Sequence, residues 1–85
     1  RRWFVQGRVQ GVGFRWFVVS RARDLGVTGW TRNEADGRVQ VYAAGTASQL
    51  DRLAGYLHHG PALSEVRGVE QTEVPVERHS SFEIR

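Results

Sequence analysis

Gly7-Arg8-Val9-Gln10-Gly11-Val12-Gly13-Phe14-Arg15 marks the point where this chain stops being a strand and starts being a helix. Ahead of it, Arg2 to Val9 alternates with a period of two, Trp3 and Val5 on one face and Phe4 and Gln6 on the other, as a strand requires. Behind it the period lengthens: Phe14, Phe17, Val18, Ala22 and Leu25 form one stripe of an amphipathic helix, and Gly26 is placed to stop it. Between the two lie Gly7, Gly11 and Gly13. No strand uses glycine so freely, so the predicted connection is a loop with an unusual backbone.

Working outward, Val27 to Asn33 and Arg38 to Ala44 read as two strands joined by Glu34-Ala35-Asp36-Gly37, and the Asp-Gly pair predicts an antiparallel hairpin. Thr46-Ala47-Ser48-Gln49 has the spacing of a capping box. Leu50, Leu53, Ala54 and Leu57 then supply the stripe of a second helix, closed by Gly60-Pro61. Val66 to Val76 predicts an irregular strand and Phe82 to Arg85 a short closing one. The order strand, helix, strand, strand, helix, strand, with an extra strand at the end, predicts an α+β fold. It matches the ferredoxin-like split βαβ sandwich: an antiparallel sheet of four to five strands with two helices on one face. Residues 1–85 contain no linker, repeat or low-complexity stretch and are expected to form one domain. The chain begins at Arg1 rather than at methionine, so a few leading residues are expected before it.

Composition narrows the chemistry. The chain has 85 residues, 40% hydrophobic and 25% charged, which is ordinary for a small globular protein. With no cysteine, it has neither a disulfide framework nor a thiol nucleophile. No apolar run approaches the roughly 18 residues of a membrane span, and no signal peptide is visible. The net charge is +3, and all 12 basic residues are arginine. Arginine presents a planar fork of donors suited to phosphate, where lysine is a point charge. Coding bias accounts for the general excess, but not for the position of Arg15 just behind a glycine-rich loop.

Gly11 and Gly13 let the backbone take left-handed conformations that turn successive N–H groups inward into a concave nest. The free N–H groups and positive dipole end of the first helix point into the same place, and phosphate is the usual occupant of such a site. Arg15, in the first helical turn, adds a bidentate contact to two phosphate oxygens. A cation there opposes the helix dipole, which makes sense beside a bound anion. Better-known phosphate loops do not fit, because no Gly-Lys-Ser/Thr follows.

These residues carry a family resemblance. Residues Gly7 to Arg15 resemble the first signature of the acylphosphatase family nearly residue for residue. Gly29-Trp30-Thr31-Arg32-Asn33, followed by Gly37, Val39 and Gly45, resembles the second at its usual spacing. The resemblance spans the chain and implies a metal-independent hydrolase of the carboxyl–phosphate bond. It implies that Arg15 holds the phosphoryl group with the N–H groups of Arg8, Val9, Gln10, Gly11, Val12, Gly13 and Phe14, that Asn33 orients the attacking water, and that the substrate phosphate accepts its proton. The implied partners are a small-molecule acyl phosphate, and inorganic phosphate as product or competitive ligand. No cofactor, metal, nucleic acid or membrane is implied, and the protein is expected to be a cytoplasmic monomer. Two positions depart from the family pattern. Thr31 stands where a small aliphatic residue is usual, which puts local packing in question. The chain also stops at Arg85, where many relatives carry a further aromatic residue.

Other candidates are weaker. His58 and His59 are adjacent and do not share a helix face, so capping is expected rather than metal binding. His79 reads as a loop residue. Asp24, Asp36 and Asp51 lie in separate elements, and Ser20 has no evident base. Phe4, Trp30 and Tyr42 could form an aromatic platform for single-stranded nucleic acid on the open sheet face. However, Arg38-Val39-Gln40-Val41-Tyr42 lacks the closely spaced aromatics of such modules. Hydrogenase-maturation proteins begin with an acylphosphatase-like domain acting on carbamoyl phosphate, which is a second reading of the same fold. No pocket-forming insertion is evident, so loose holding of the acyl group is expected.

Overall fold

The computed structural model describes residues 1–85. Strand β1 (Arg2–Arg8) leads to helix α1 (Phe14–Leu25), strands β2 (Thr28–Asn33) and β3 (Val39–Ala44), helix α2 (Ala47–His59), and strands β4 (Glu65–Thr72) and β5 (Phe82–Ile84). The five strands form one sheet in the order β4-β1-β3-β2-β5. β3 is antiparallel to both β1 and β2, so those two run in the same direction and end at the same edge of the sheet. Val5, Val39 and Asn33 lie at one level across them.

One side of the sheet holds the core. Trp3, Val5, Val39, Val41 and Ala43 pack in a single cluster with Phe14, Val18, Val19 and Ala22 of α1 and Leu50, Leu53, Ala54 and Leu57 of α2. Both helices therefore cover the same face, as the two amphipathic stripes predict. Full burial of each large apolar side chain contributes roughly 1.5–3 kcal/mol. Two details of the α1 stripe differ from the sequence pattern: Val19 joins the core, while Phe17 is half-buried in the seam between the helices, edge-on to Tyr56 at 6.3 Å. Thr31 is wholly buried, and its hydroxyl donates to the Gln40 carbonyl at 2.9 Å. The departure at this position thus leaves no orphaned polar atom.

Helix α2 opens as its sequence predicts. The Thr46 hydroxyl accepts from the Gln49 N–H at 3.2 Å, and the Gln49 side chain accepts from the Thr46 N–H at 2.8 Å. Gln49 also donates to the Leu25 carbonyl at 2.8 Å, joining this cap to the end of α1. The β2–β3 hairpin turns at Asp36-Gly37, where Asp36 accepts from the backbone and side chain of Arg38. That backbone bond is the main reason its carboxyl lies below its ordinary range.

The far end of the chain departs from expectation twice. The sheet is mixed: β5 runs parallel to β2, with Gly29 opposite Phe82, Trp30 opposite Glu83 and Thr31 opposite Ile84. β4 ends at Thr72, which is level with Arg2 at the start of β1. The chain then crosses the sheet at that end and meets β2 near its beginning, so it can only run alongside β2 in the same direction. The fourth strand also stops at Thr72 instead of continuing to Val76. Pro75 has no N–H to offer a ladder, and the segment leaves the sheet to cross its outer face.

That crossing segment changes the meaning of the outer aromatics. Glu77 accepts from the Trp30 indole at 3.1 Å, and its backbone N–H donates to the Tyr42 hydroxyl. Trp30 stacks on Tyr42 with ring centroids 6.1 Å apart, and His79 packs edge-on against Tyr42. Trp30 is 7% exposed and Tyr42 only 1%. Phe4 lies beneath the guanidinium groups of Arg2 and Arg38. The open platform imagined for nucleic acid is largely occupied by the protein's own chain.

Candidate active site

The loop from β1 to α1 has the backbone that its glycines predict. Gly11 has φ 73° and Gly13 φ 78°, both left-handed. Gly13 is the N-cap of α1, with no side-chain hydrogen bond and no acidic residue in the first turn. The first N–H beyond β1 to donate within the protein is that of Phe17, to the Gly13 carbonyl at 3.0 Å. The amide N–H groups of residues 9–16 donate to nothing else in the chain. Such a run of unpartnered donors at a positive dipole end is the setting an anion requires.

Arg15 stands half-buried in the first turn of α1. Its side chain, like those of Arg8, Arg52 and Arg78, has no hydrogen bond, ion pair or aromatic partner. Among these four, only Arg15 belongs to the helix turn that carries the free amides. Asn33 ends β2 in register with Val39, so strand alternation directs it to the helix-covered side of the sheet. It is exposed, and its side-chain amide is free of partners in the chain.

Gln10 connects these two parts. Its side-chain amide donates to the Glu34 carbonyl at 2.8 Å and to the Arg38 carbonyl at 3.0 Å. The Glu34 N–H donates to the same Arg38 carbonyl at 2.8 Å, closing the hairpin. The loop is thereby tied to the turn that begins one residue after Asn33. The sequence assigns Gln10 to the loop through its backbone N–H alone. Its clamping side chain was not legible, because both acceptors lie more than twenty residues away.

A groove of about 460 Å³ opens beside Arg15, lined by Arg15, Trp16, Val19 and Arg23 of α1 and by Glu83 and Ile84 of β5. The groove arises without any inserted segment, between a helix and a strand of the basic fold. The wall is β5, placed by the parallel pairing that the strand pattern could not foretell. Elsewhere, the His58 ring Nδ1 lies 2.8 Å from the Ala54 carbonyl, a bond within its own helix. His79 bonds to Glu77 at 2.8 Å. No three His, Cys, Asp or Glu residues gather where they could hold a metal.

The fold and this helix start define a small α+β domain, a split βαβ sandwich whose first helix begins with free amides and an arginine without a side-chain partner. The acylphosphatase family pattern matches residues 1–84. An acylphosphatase of Solibacter usitatus is 54% identical over 85 residues, covering all of this chain and 88% of that one. Among solved structures, the acylphosphatase from Bacillus subtilis superposes with a TM-score of 0.95 at 38% identity, covering 99% of this chain and 94% of the other. Full-length HypF in its phosphate- and nucleotide-bound form contains a similar region, with a TM-score of 0.91 at 28% identity, where this chain corresponds to 11% of that protein. The chain belongs to the acylphosphatase family, hydrolases of the acyl phosphate anhydride bond.

Proposed function

We propose that this chain hydrolyses acyl phosphates with the phosphoryl group seated in the loop of residues 8–15, held by Arg15 and the loop amides, and with water aimed by Asn33. The observation that carries the proposal is the run of unpartnered N–H groups from residues 9–16, tied through Gln10 to the strand end bearing Asn33.

The substrate is a mixed anhydride whose leaving group, a carboxylate, departs readily. Phosphoryl transfer passes through a loose transition state with charge spread over the equatorial oxygens. Positioning and electrostatic stabilisation therefore supply most of the catalysis. Arg15 contributes a charge-assisted, bidentate contact to two of those oxygens, and the amides of the nest engage the remainder. Asn33 offers one carbonyl acceptor and two N–H donors, enough to orient a water molecule but too weakly basic to deprotonate it. The proton passes to a phosphate oxygen of the substrate, so inorganic phosphate and carboxylate leave together. Every group invoked belongs to one chain and none requires a metal. The proposed ligands are small acyl phosphates and, as product or competitor, inorganic phosphate.

The test is hydrolysis of benzoyl phosphate in the presence of EDTA, with acetyl and carbamoyl phosphate alongside. Wild type is expected to turn over substrate without metal. Arg15→Ala is expected to raise KM and lower kcat together, because its contact exists in ground and transition states alike. Asn33→Ala is expected to lower kcat with little change in KM. Full activity in folded Arg15→Ala or Asn33→Ala protein would overturn the assignment of that residue. Turnover of carbamoyl phosphate alone would favour the HypF-like reading.

A further inference from the structure

The groove between α1 and β5 is lined by none of the loop residues 8–14, yet it begins at Arg15, the residue proposed to hold the phosphoryl group. Arg15, Trp16, Val19 and Arg23 form its helical wall, and Glu83 with Ile84 form the other. From Arg15 to Arg23 is about 12 Å along the helix axis, at 1.5 Å per residue. The far end is drawn closed by Arg23, whose guanidinium donates to the Phe82 carbonyl at 3.1 Å. At about 460 Å³ the space falls within the ordinary range of small-molecule sites.

Trp16 is the unusual feature of this wall. It is 69% exposed, one of three large hydrophobic residues that the fold leaves in solvent. The other two, Leu63 and Val76, lie in connecting segments outside the groove. Trp16 makes no aromatic contact with the rest of the protein, whereas Trp30 is stacked on Tyr42 and Trp3 is wholly buried. An indole face next to the phosphate arginine, with Val19 and Ile84 nearby, suits a flat apolar group. The arginines at either end and the single Glu83 leave the walls with a positive balance, which suits the carboxylate released when the phosphorus–oxygen bond breaks.

We infer that this groove is the acyl subsite and that Trp16 makes the enzyme prefer aromatic acyl phosphates over short aliphatic ones. The inference rests on the proposed seating of the phosphoryl group at Arg15. A methyl substituent would leave the indole in water. An aromatic ring would cover it, and such a ring pair alters affinity by about three- to tenfold.

The inference is tested with two non-hydrolysable analogues, phenacylphosphonate and acetonylphosphonate, in which a methylene replaces the bridging oxygen. Their dissociation constants are measured by calorimetry for wild type, Trp16→Ala and Trp16→Phe, with inorganic phosphate as the ligand lacking an acyl group. Wild type is expected to bind the phenacyl compound about three- to tenfold more tightly. Trp16→Ala is expected to erase that preference, Trp16→Phe to keep most of it, and phosphate to bind all three proteins alike. The ratio of kcat/KM for benzoyl over acetyl phosphate should follow the same order. An unchanged preference in Trp16→Ala, or none in wild type, sinks the groove assignment while leaving the phosphate site standing. Failure of wild type to bind phosphate or either phosphonate sinks both readings together.

Discussion

The two helices of this protein begin in opposite ways. At α2, Thr46 and Gln49 exchange hydrogen bonds in a complete capping box, and no cation lies in the first turn. At α1, a left-handed glycine stands at the N-cap with no capping side chain, Arg15 occupies the first turn, and the amides of residues 9–16 are unpartnered. Every helix start leaves about four N–H groups to satisfy, and ordinary ends recruit a side chain for the task. The α1 terminus instead extends its free donors back through the loop and adds a positive charge that the dipole disfavours. The first end is satisfied within the fold, and the second leaves free the donors that the proposed phosphate seat requires. The contrast is informative because both ends belong to one chain of one composition.

The largest expected effect separates function from stability at the two ends. Arg15→Ala should lower kcat/KM for benzoyl phosphate by about 10²–10³-fold, the scale of losing one well-aimed transition-state donor. In the absence of ligand the same substitution should leave the fold as stable or a few tenths of a kcal/mol more so, since it removes a cation from a positive helix end. Denaturant titration beside steady-state kinetics reads both quantities. A large loss of stability in Arg15→Ala would mean that Arg15 serves the fold, and the contrast between the ends would collapse.

Next in size is the effect of an anion. Inorganic phosphate at about a hundred times its dissociation constant should stabilise wild type by about 2.7 kcal/mol. Melting curves at constant ionic strength should show this shift, and Arg15→Ala should lose most of it at the same phosphate concentration. Equal stabilisation of the two proteins would place phosphate elsewhere on the molecule.

Smaller again is the capping box. Thr46→Ala should cost about 1 kcal/mol, which lowers Tm by roughly 4–8 °C in a domain of this size. Its kcat and KM below the transition should match wild type. A kinetic defect would show that the two termini are coupled, for which the bond from Gln49 to the Leu25 carbonyl offers a path.

The smallest effect lies away from both helix starts and serves as a control. The Glu77 carboxyl is held below its ordinary value of 4.5, first by the hydrogen bond with His79 and next by that from the Trp30 indole. A folded value lower than the unfolded one means that this contribution is complete above the ordinary range. It fades as pH falls through the depressed value. The indole N–H proton signal of Trp30 should shift across that acid window in wild type and stay constant in Glu77→Gln. A signal insensitive to acid in wild type would remove Glu77 as the anchor of the crossing segment.

Much of this molecule was legible in its sequence because the relevant physics is local. The period change at Phe14, the Asp36-Gly37 turn, the spacing of Thr46 and Gln49, and the stripe of Leu50, Leu53, Ala54 and Leu57 each depend on residues within a turn or two of one another. The loop glycines and Arg15 are of the same kind, since a nest and the start of its helix are continuous in the chain. Their resemblance to a known family signature added Asn33, which no local rule would have singled out.

Tertiary structure decided what depends on distant partners. The sequence order could not show that β5 would lie parallel to β2, because strand direction follows from where the chain leaves β4 and which sheet edge remains open. Nor could it show that residues 73–81 would cover Trp30 and Tyr42, since Glu77 meets rings more than thirty residues away. Gln10 looked like one more loop donor until the hairpin came within reach of its amide. The groove beside Arg15 likewise exists only once β5 stands against α1. Periodicity and turn chemistry act over a few residues and so determined the elements. Sheet order and the contacts across it act over the whole chain, and they determined which side chains share a site.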